Sequence, residues 1–373
     1  MSTSRSVLVT GGAGFIGSHF ARLALERGRN IVILDDLSNG APGCFPEALH
    51  LVEGDIGDVS LLRRIVAAHD VGSVVHFAGK IEAGASVRCP ELYFEVNLVR
   101  SLRLLDTVRE LGVRSFLCSS TAAVYGQPDA VPIPETAPLA PVNPYGASKL
   151  AFEYALSAAG VAHGIAWGAL RYFNAAGARR DGSLAENHQP ETHLIPLAID
   201  AALGKRPPLV IFGTDYPTPD GTCVRDYIHV EDLAEAHLVA LAAVERGEQL
   251  GPINLGTGRG YSVREVVDTV ATVLGRAVPH SFGERREGDP PQLVADPRRA
   301  RTVLGWTARR QQLARMIEDA LRARLRHPEF EHTPGTAEIA EKWLCPSETT
   351  DDWDAVDQAS WESFPASDPP AHP

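Results

Sequence analysis

The segment "NPYGASKLAFEYAL", residues 143–156, places a phenol at Tyr145 and an ammonium at Lys149, directly behind Pro144. Residues at i and i+4 share one helix face, so these two side chains stand one turn apart. A fixed positive charge favours a phenolate and lowers a phenol pKa that is near 10 when unperturbed. The spacing therefore predicts that Tyr145 is a base usable near neutral pH. A second segment, "CSSTAAVYG" at 118–126, ends an apolar run and offers Ser119, Ser120 and Thr121. Strand ends at the carboxyl edge of a parallel sheet line the ligand crevice, where a hydroxyl can hydrogen-bond a substrate alcohol. Thr121, Tyr145 and Lys149 together form a candidate proton-handling set.

Such a set needs an electron acceptor, and the N-terminal residues suggest one. In "VLVTGGAGFIGSHFARLAL" an apolar strand runs into Gly11, Gly14 and Gly17 and then into an amphipathic helix. Glycines there let the backbone approach a pyrophosphate, which the free N–H groups and dipole of the helix N-terminus stabilise. Asp35, in "IVILDDLSNG", closes the second strand and can accept both ribose hydroxyls of an adenosine; its charge opposes a 2′-phosphate, so NAD is favoured over NADP. Asp36 beside it can exchange roles, and Asp55 in "VEGDIGD" ends the third strand within reach of an adenine amino group.

These residues must be carried by regular elements. Short runs rich in Val, Ile and Leu ("SVLVT", "NIVILDD", "LHLVEGD", "VGSVVHFAG", "SFLCSST", "GIAWGALRYFN") alternate with segments of helical period. Continuously apolar strands are those covered on both faces, which means a parallel sheet wrapped by helices. The fold expected is α/β, a Rossmann-type doubly wound parallel sheet with a smaller, irregular C-terminal substrate domain. Residues 1–175 are assigned to the dinucleotide-binding domain, with later segments at about 225–260 contributing, and 176–330 to the substrate domain. Residues 331–373 form an acidic tail without period, expected to be largely disordered, in which Trp353, Trp361 and Phe364 are potential anchors.

Composition narrows the partners. The net charge of −12 argues against a nucleic-acid or anionic-membrane partner, and no apolar run reaches the roughly 18 residues of a membrane span. The chain begins without a hydrophobic signal segment, which favours a cytoplasmic location. The five cysteines (Cys44, Cys89, Cys118, Cys223 and Cys345) show no Cys-x-x-Cys spacing, so neither a disulfide framework nor a metal site is expected.

The ordered motifs "VTGGAGFIGSH", "ILDDLSNG", "EGDI", "VVHFAG", "SSTAAVYG", "NPYGASK", "LRYFNAAGA", "ETHLIP", "VRDYIHVEDLAEAH", "NLGTGRGYSVREV" and "RREGDPP" span about residues 5–330. Through them the chain resembles the extended short-chain dehydrogenase/reductases, and among these most closely the UDP-glucose 4-epimerases. The resemblance implies an NAD site of Gly11, Gly14, Phe15, Ile16, Gly17, Asp35, Asn39, Asp55, Ile56, Phe77, Ala78, Gly79, Asn97, Ser119, Tyr145, Lys149, Tyr172 and Phe173. It implies that Thr121, Tyr145, Asn174, His193, Leu194, Phe212, Arg225, Arg286, Asp289 and Leu293 hold a UDP-sugar, and that residues 176–330 are the UDP-sugar-binding domain. Two arginines suit bidentate diphosphate recognition, and Asp289 suits a ribose hydroxyl.

The implied reaction is oxidation and re-reduction at C4 of a UDP-hexose, UDP-glucose or UDP-galactose, with breadth toward UDP-N-acetylhexosamines tied to Leu293 at the wall of the sugar pocket. Alternatives are 4-epimerases of other UDP-sugars (UDP-xylose/UDP-arabinose or UDP-glucuronate/UDP-galacturonate), a sugar-nucleotide dehydratase, and a non-catalytic NAD-binding regulator. Dehydratases of this fold need a further acid and base where this chain has Ala122 and Ala123. A regulator would have lost Tyr145 or Lys149. The chain departs from the family pattern at Ile81, Ala85 and Arg100; the last replaces a helix glycine on the face that family homodimers use. A homodimer is expected.

The role given to Asp35 yields a first prediction. Denatured protein should release NAD, identified by mass spectrometry, and Asp35→Ala should relax the preference against NADP; NADP as the main species would show that the carboxylate does not face the ribose.

Overall fold

The strand Ser6–Thr10 (β1) is buried almost throughout, yet its successive side chains serve two different cores. Val7 and Val9 join one apolar cluster and Leu8 the other. The same split recurs in Ile31–Asp35 (β2), where Ile31 and Ile33 oppose Val32 and Leu34. A strand whose two faces are both apolar has only one stable setting, between two layers of helices. The structure, a computed structural model, describes residues 5–40, 49–186, 188, 190–286 and 289–327, with 336, 339–340 and 343–344.

After β2 come His50–Glu53 (β3), Val71–His76 (β4), Ser115–Thr121 (β5), Ala166–Tyr172 (β6), Asn174–Ala176 (β7), Leu209–Phe212 (β8), Val224–His229 (β9) and Gly251–Leu255 (β10). Gly260–Ser262 (β11), His280–Gly283 (β12) and Gln292–Leu293 (β13) follow. The main sheet has seven parallel strands in the order β10-β6-β5-β4-β1-β2-β3. The chain runs outward from β1 through β2 to β3 and then returns to β4. The loops leaving β1 and β4 therefore diverge and open a crevice at the carboxyl edge. Helices Phe15–Glu26 and Val230–Glu245 cover one face; Val59–His69, Ser101–Glu110 and Pro144–His163 cover the other. Past β6, β9 pairs with β7, β11 and β13, while β8 pairs with β12.

The helix Pro144–His163 carries Tyr145 and Lys149. Asn143 caps it by accepting from the Gly146 N–H at 2.9 Å, and Pro144 occupies the first turn, where no N–H is needed. A Cβ on Gly146 would lie 2.6 Å from the Ala123 carbonyl oxygen, so this glycine lets the helix start hard against the turn after β5. Further along, Glu153 holds the helix to the sheet. Its carboxylate accepts from Arg171 Nε at 3.0 Å and Nη2 at 2.5 Å, and Arg171 Nη1 donates to the Tyr125 hydroxyl at 3.0 Å. Tyr125 in turn donates to Asn254 Oδ1 at 2.7 Å, linking β6, the helix and β10 through side chains that are nearly all buried.

The described residues up to 327 pack as one compact unit, and the chain from Glu331 onward belongs to a separate one. Of the second unit only residues 336, 339–340 and 343–344 are described, all helical. Trp353, Trp361 and Phe364 of the expected acidic tail lie outside the described residues. Among the described residues no helix is long and apolar enough to cross a membrane.

Removing one partner of a buried ion pair leaves the other as an uncompensated charge, at a cost of about 3–5 kcal/mol. Glu153→Ala should therefore destabilise the protein by that amount in urea unfolding. Glu110→Ala, which breaks an exposed pair with Arg63, should cost less than about 1 kcal/mol. Equal effects would remove Glu153 from its anchoring role.

Candidate functional site

The crevice between β1 and β4 opens on a cavity of about 340 Å³. Its floor is the turn after β1. Gly11 has φ +69°, and a Cβ on it would meet the backbone nitrogen of Ala78 at 2.3 Å, so glycine is required by the protein itself. Gly14 differs. It has an extended backbone, and a Cβ there would meet no protein atom closer than 3.4 Å. That space belongs to the cavity, which is where a ligand phosphate comes close to the N-terminus of the helix Phe15–Glu26. The Asp35 carboxylate is fixed by the N–H groups of Ala13 at 2.8 Å and Leu37 at 2.9 Å. Burial raises its pKa and these two hydrogen bonds pull it down. Asp36 accepts from the Ser38 N–H at 2.9 Å, so Asp35 is the carboxylate set at the end of β2 beside the glycine turn. This carboxylate, the helix N-terminus and the open space at Gly14 fit a dinucleotide.

The cavity wall also includes Phe15, Ile16, Gly17, Asn39, Asp55, Ile56, Phe77, Ala78, Gly79, Ser119, Thr121, Tyr145, Tyr172 and Phe173. Asn97 and Lys149, which the resemblance also places at the cofactor, are buried next to Gly79 of this wall. Asn97 lies in a π-helical turn, Glu95–Arg100; its Nδ2 donates to the Lys80 carbonyl at 3.0 Å and Ser148 Oγ at 3.1 Å, and its Oδ1 accepts from the Lys80 N–H at 2.8 Å. It ties the loop after β4 to the helix that carries Tyr145. Lys149 is buried, with Nζ donating to the Ser119 carbonyl at 3.2 Å. Arg100, read from the sequence as part of the dimer face, points the other way: it lines the cavity and pairs with Asp55 and Glu95.

The i, i+4 spacing predicts that Lys149 lowers the Tyr145 pKa; in the structure burial is the larger influence on this phenol. Burial raises the Tyr145 phenol, and the opposing pull comes from a hydrogen bond with Thr121. Burial lowers the Lys149 ammonium, with Cys118 and Glu153 acting the other way. Sequence spacing gives the face a side chain shares but not how deeply it is buried, and here burial is the larger effect.

A second cavity, of about 330 Å³, adjoins the first; Phe15, Asn174, Ala175, Glu186, Thr192 and His193 line both, so the two form one continuous cleft. The second part is walled by Leu194, Phe212, Arg225, Arg286 and Asp289. Arg225 pairs with Asp289, and the Arg286 guanidinium stands 4.2 Å from the Phe212 ring centroid. The helix Leu194–Ala202 begins here without a side-chain cap, which leaves its first N–H groups available to an anion. Leu293 lines neither cavity; it packs on the cluster of Ala122, Val124, Tyr125, Ile133 and Leu150. The sequence reading missed Glu186, His188 and Glu191, which the loop before this helix brings beside His193. Their only signal was the density of His and Glu in "ENHQPETH".

The family described as "NAD dependent epimerase/dehydratase family" matches residues 7–256. A UDP-glucose 4-epimerase from Azospirillum brasilense is 51% identical over 320 residues, covering 86% of this chain and 92% of that protein. The crystal structure of UDP-glucose 4-epimerase from Brucella ovis in complex with NAD is 44% identical with a TM-score of 0.82, covering 85% of this chain and 98% of the other. That of the Bifidobacterium longum enzyme in complex with NAD+ and UDP is 36% identical, also with a TM-score of 0.82, over 87% and 99% of the two chains.

The contrast between the two glycines can be measured. In nucleotide-stripped protein Gly14→Val should melt near wild type, yet bind the dinucleotide at least about tenfold more weakly, because its side chain fills ligand space. Gly11→Val should be destabilised outright. Undiminished binding by Gly14→Val would place the pyrophosphate elsewhere.

Proposed function

The chain belongs to the NAD dependent epimerase/dehydratase family, and from that premise we propose that it interconverts UDP-glucose and UDP-galactose, inverting C4 through a transient 4-keto sugar. The observation that carries this reading is the junction of the cleft: Thr121 and Tyr145 line the dinucleotide side beside Asn174 and His193, which also line the nucleotide-sugar side. NAD would be held by Asp35 at its adenosine ribose, by the backbone at Gly14–Ile16 at its pyrophosphate, and by Phe77–Gly79, Ser119, Tyr172 and Phe173. The chemistry NAD supplies when bound is acceptance of the C4 hydride and its return.

The chain's own groups handle the proton and the position. Tyr145 Oη takes the proton of the 4-hydroxyl as the C4 hydrogen leaves and gives it back to the ketone oxygen on reduction. Thr121, hydrogen-bonded to that phenol, favours its ionised form. Arg225, Arg286 and the first turn of the helix Leu194–Ala202 suit the diphosphate, which anchors the keto intermediate while its sugar turns over. Inversion needs no second acid–base pair, in agreement with Ala122 and Ala123 in the turn after β5. A dehydratase would need one there.

Two further readings accompany this one. Leu92, Phe94, Leu102, Tyr154 and Val161 are large apolar side chains left exposed on the helices Pro90–Phe94, Ser101–Glu110 and Pro144–His163. This supports a homodimer formed through that layer. Cys89, Cys118 and Cys223 are free thiols, as suits a reducing cytoplasm.

NMR of UDP-glucose incubated with the protein and no added NAD should show UDP-galactose, since net redox is zero and the cofactor stays bound. Tyr145→Phe should lose at least about 100-fold in turnover with the fold intact. The base must be ionised and burial holds its pKa high, so the rate should rise with pH through that pKa. Thr121→Val removes the hydrogen bond that lowers it, so the same limb should move to higher pH. Near wild-type turnover in Tyr145→Phe with NAD fully bound would sink the mechanism.

A further inference from the structure

The loop before the helix Leu194–Ala202 carries Glu186, His188, Glu191 and His193, each offering one ligand atom, and these four atoms all lie within 4.8 Å of one another. His188 Nδ1 stands 2.9 Å from a Glu186 oxygen and 3.9 Å from a Glu191 oxygen. His193 Nδ1 stands 3.0 Å from Glu191 and 3.6 Å from Glu186. A four-coordinate ion with bonds of about 2.0–2.1 Å holds its ligand atoms about 3.3 Å apart. These separations fall on both sides of that edge length, and His188 and His193 face different oxygens of Glu186, so closing on one ion requires that carboxylate to turn.

The donor set and its setting point the same way. Two imidazoles with two carboxylates suit zinc, whereas magnesium and calcium take oxygen ligands. The two carboxylates balance a dication. The side chains of His188 and Glu186 are 7% and 9% exposed, so half the set is already desolvated and held in place. Glu191 Oε1 also accepts from the N–H groups of Thr192 and His193, both at 2.7 Å, which fixes the orientation of that carboxylate. Glu186 and His193 line both parts of the cleft, which gives an ion a path in from solvent.

We propose that Glu186, His188, Glu191 and His193 form a divalent-metal site, best matched to Zn2+, in the wall of the cleft. It lies in the wall of the cavity that Thr121 and Tyr145 also line, and takes no part in the proton transfers. Its effect is to fix His193, the residue that opens the helix Leu194–Ala202, and with it the rim of the diphosphate-facing cavity. The site rests on ligand geometry alone, independently of the epimerase reading.

The full chain, dialysed to equilibrium against Zn2+, should retain one ion per chain by elemental analysis. X-ray absorption at the zinc edge should show a first shell of nitrogen and oxygen. His188→Ala and Glu186→Ala should each bind at least about tenfold more weakly, while Cys89→Ser, which removes an exposed thiol, should bind as wild type does. Absence of stoichiometric zinc, sulfur in the first shell, or full retention of zinc by both variants would each overturn the proposal. The spectrum of the wild-type protein decides the matter even if a variant fails to fold.

Discussion

The buried ion pair between Arg171 and Glu153 is the joint on which the site hangs. Arg171 belongs to β6 and Glu153 to the helix that begins with Tyr145 and Lys149, so the pair sets how that helix lies on the sheet. Such a pair adds little net stability over an apolar contact of equal volume, but it tolerates only one geometry. Its extension through Tyr125 to Asn254 carries the same constraint across to β10. A phenol that must meet a sugar hydroxyl within hydrogen-bond reach needs a helix fixed in this way.

Burial governs the chemistry of the cleft as much as charge does. It lifts Tyr145, depresses Lys149 and raises Asp35, and in each case hydrogen bonds or nearby charges restore part of what desolvation takes. His76, which hydrogen-bonds Thr10 Oγ1 and Ser101 Oγ beneath the crevice, is pushed down to about 3 by burial and stays neutral at working pH. Positioning groups surround the reacting ones: Asn97 spends its whole amide on the loop after β4 and on Ser148. A change at Asn97 would reach the cleft through both the loop and the helix that it ties together.

Much of this was legible in the chain itself. All six of the apolar runs read as strands lie in the main sheet, because a continuously apolar segment of that length has few other places to go. The glycine turn, Asp35 and the order of motifs carried the dinucleotide reading, since each is a local requirement of backbone approach or charge. The walls of the second cavity, drawn from residues as distant as Asn174 and Asp289, followed from the family resemblance rather than from any local rule.

What the sequence determined alone is therefore whatever depends on neighbours along the chain: strand and helix type, the conformation of the turn after β1, and the placing of Tyr145 and Lys149 one turn apart on one helix. Depth and direction were decided only by the tertiary structure. It buried Asn97 against Ser148 and Lys149 against the Ser119 carbonyl, drew Arg100 to Asp55, packed Leu293 against an apolar cluster, and gathered ligand atoms of Glu186, His188, Glu191 and His193 to within 4.8 Å of one another. Burial and long-range contact depend on which surfaces meet, and spacing along the chain does not encode that.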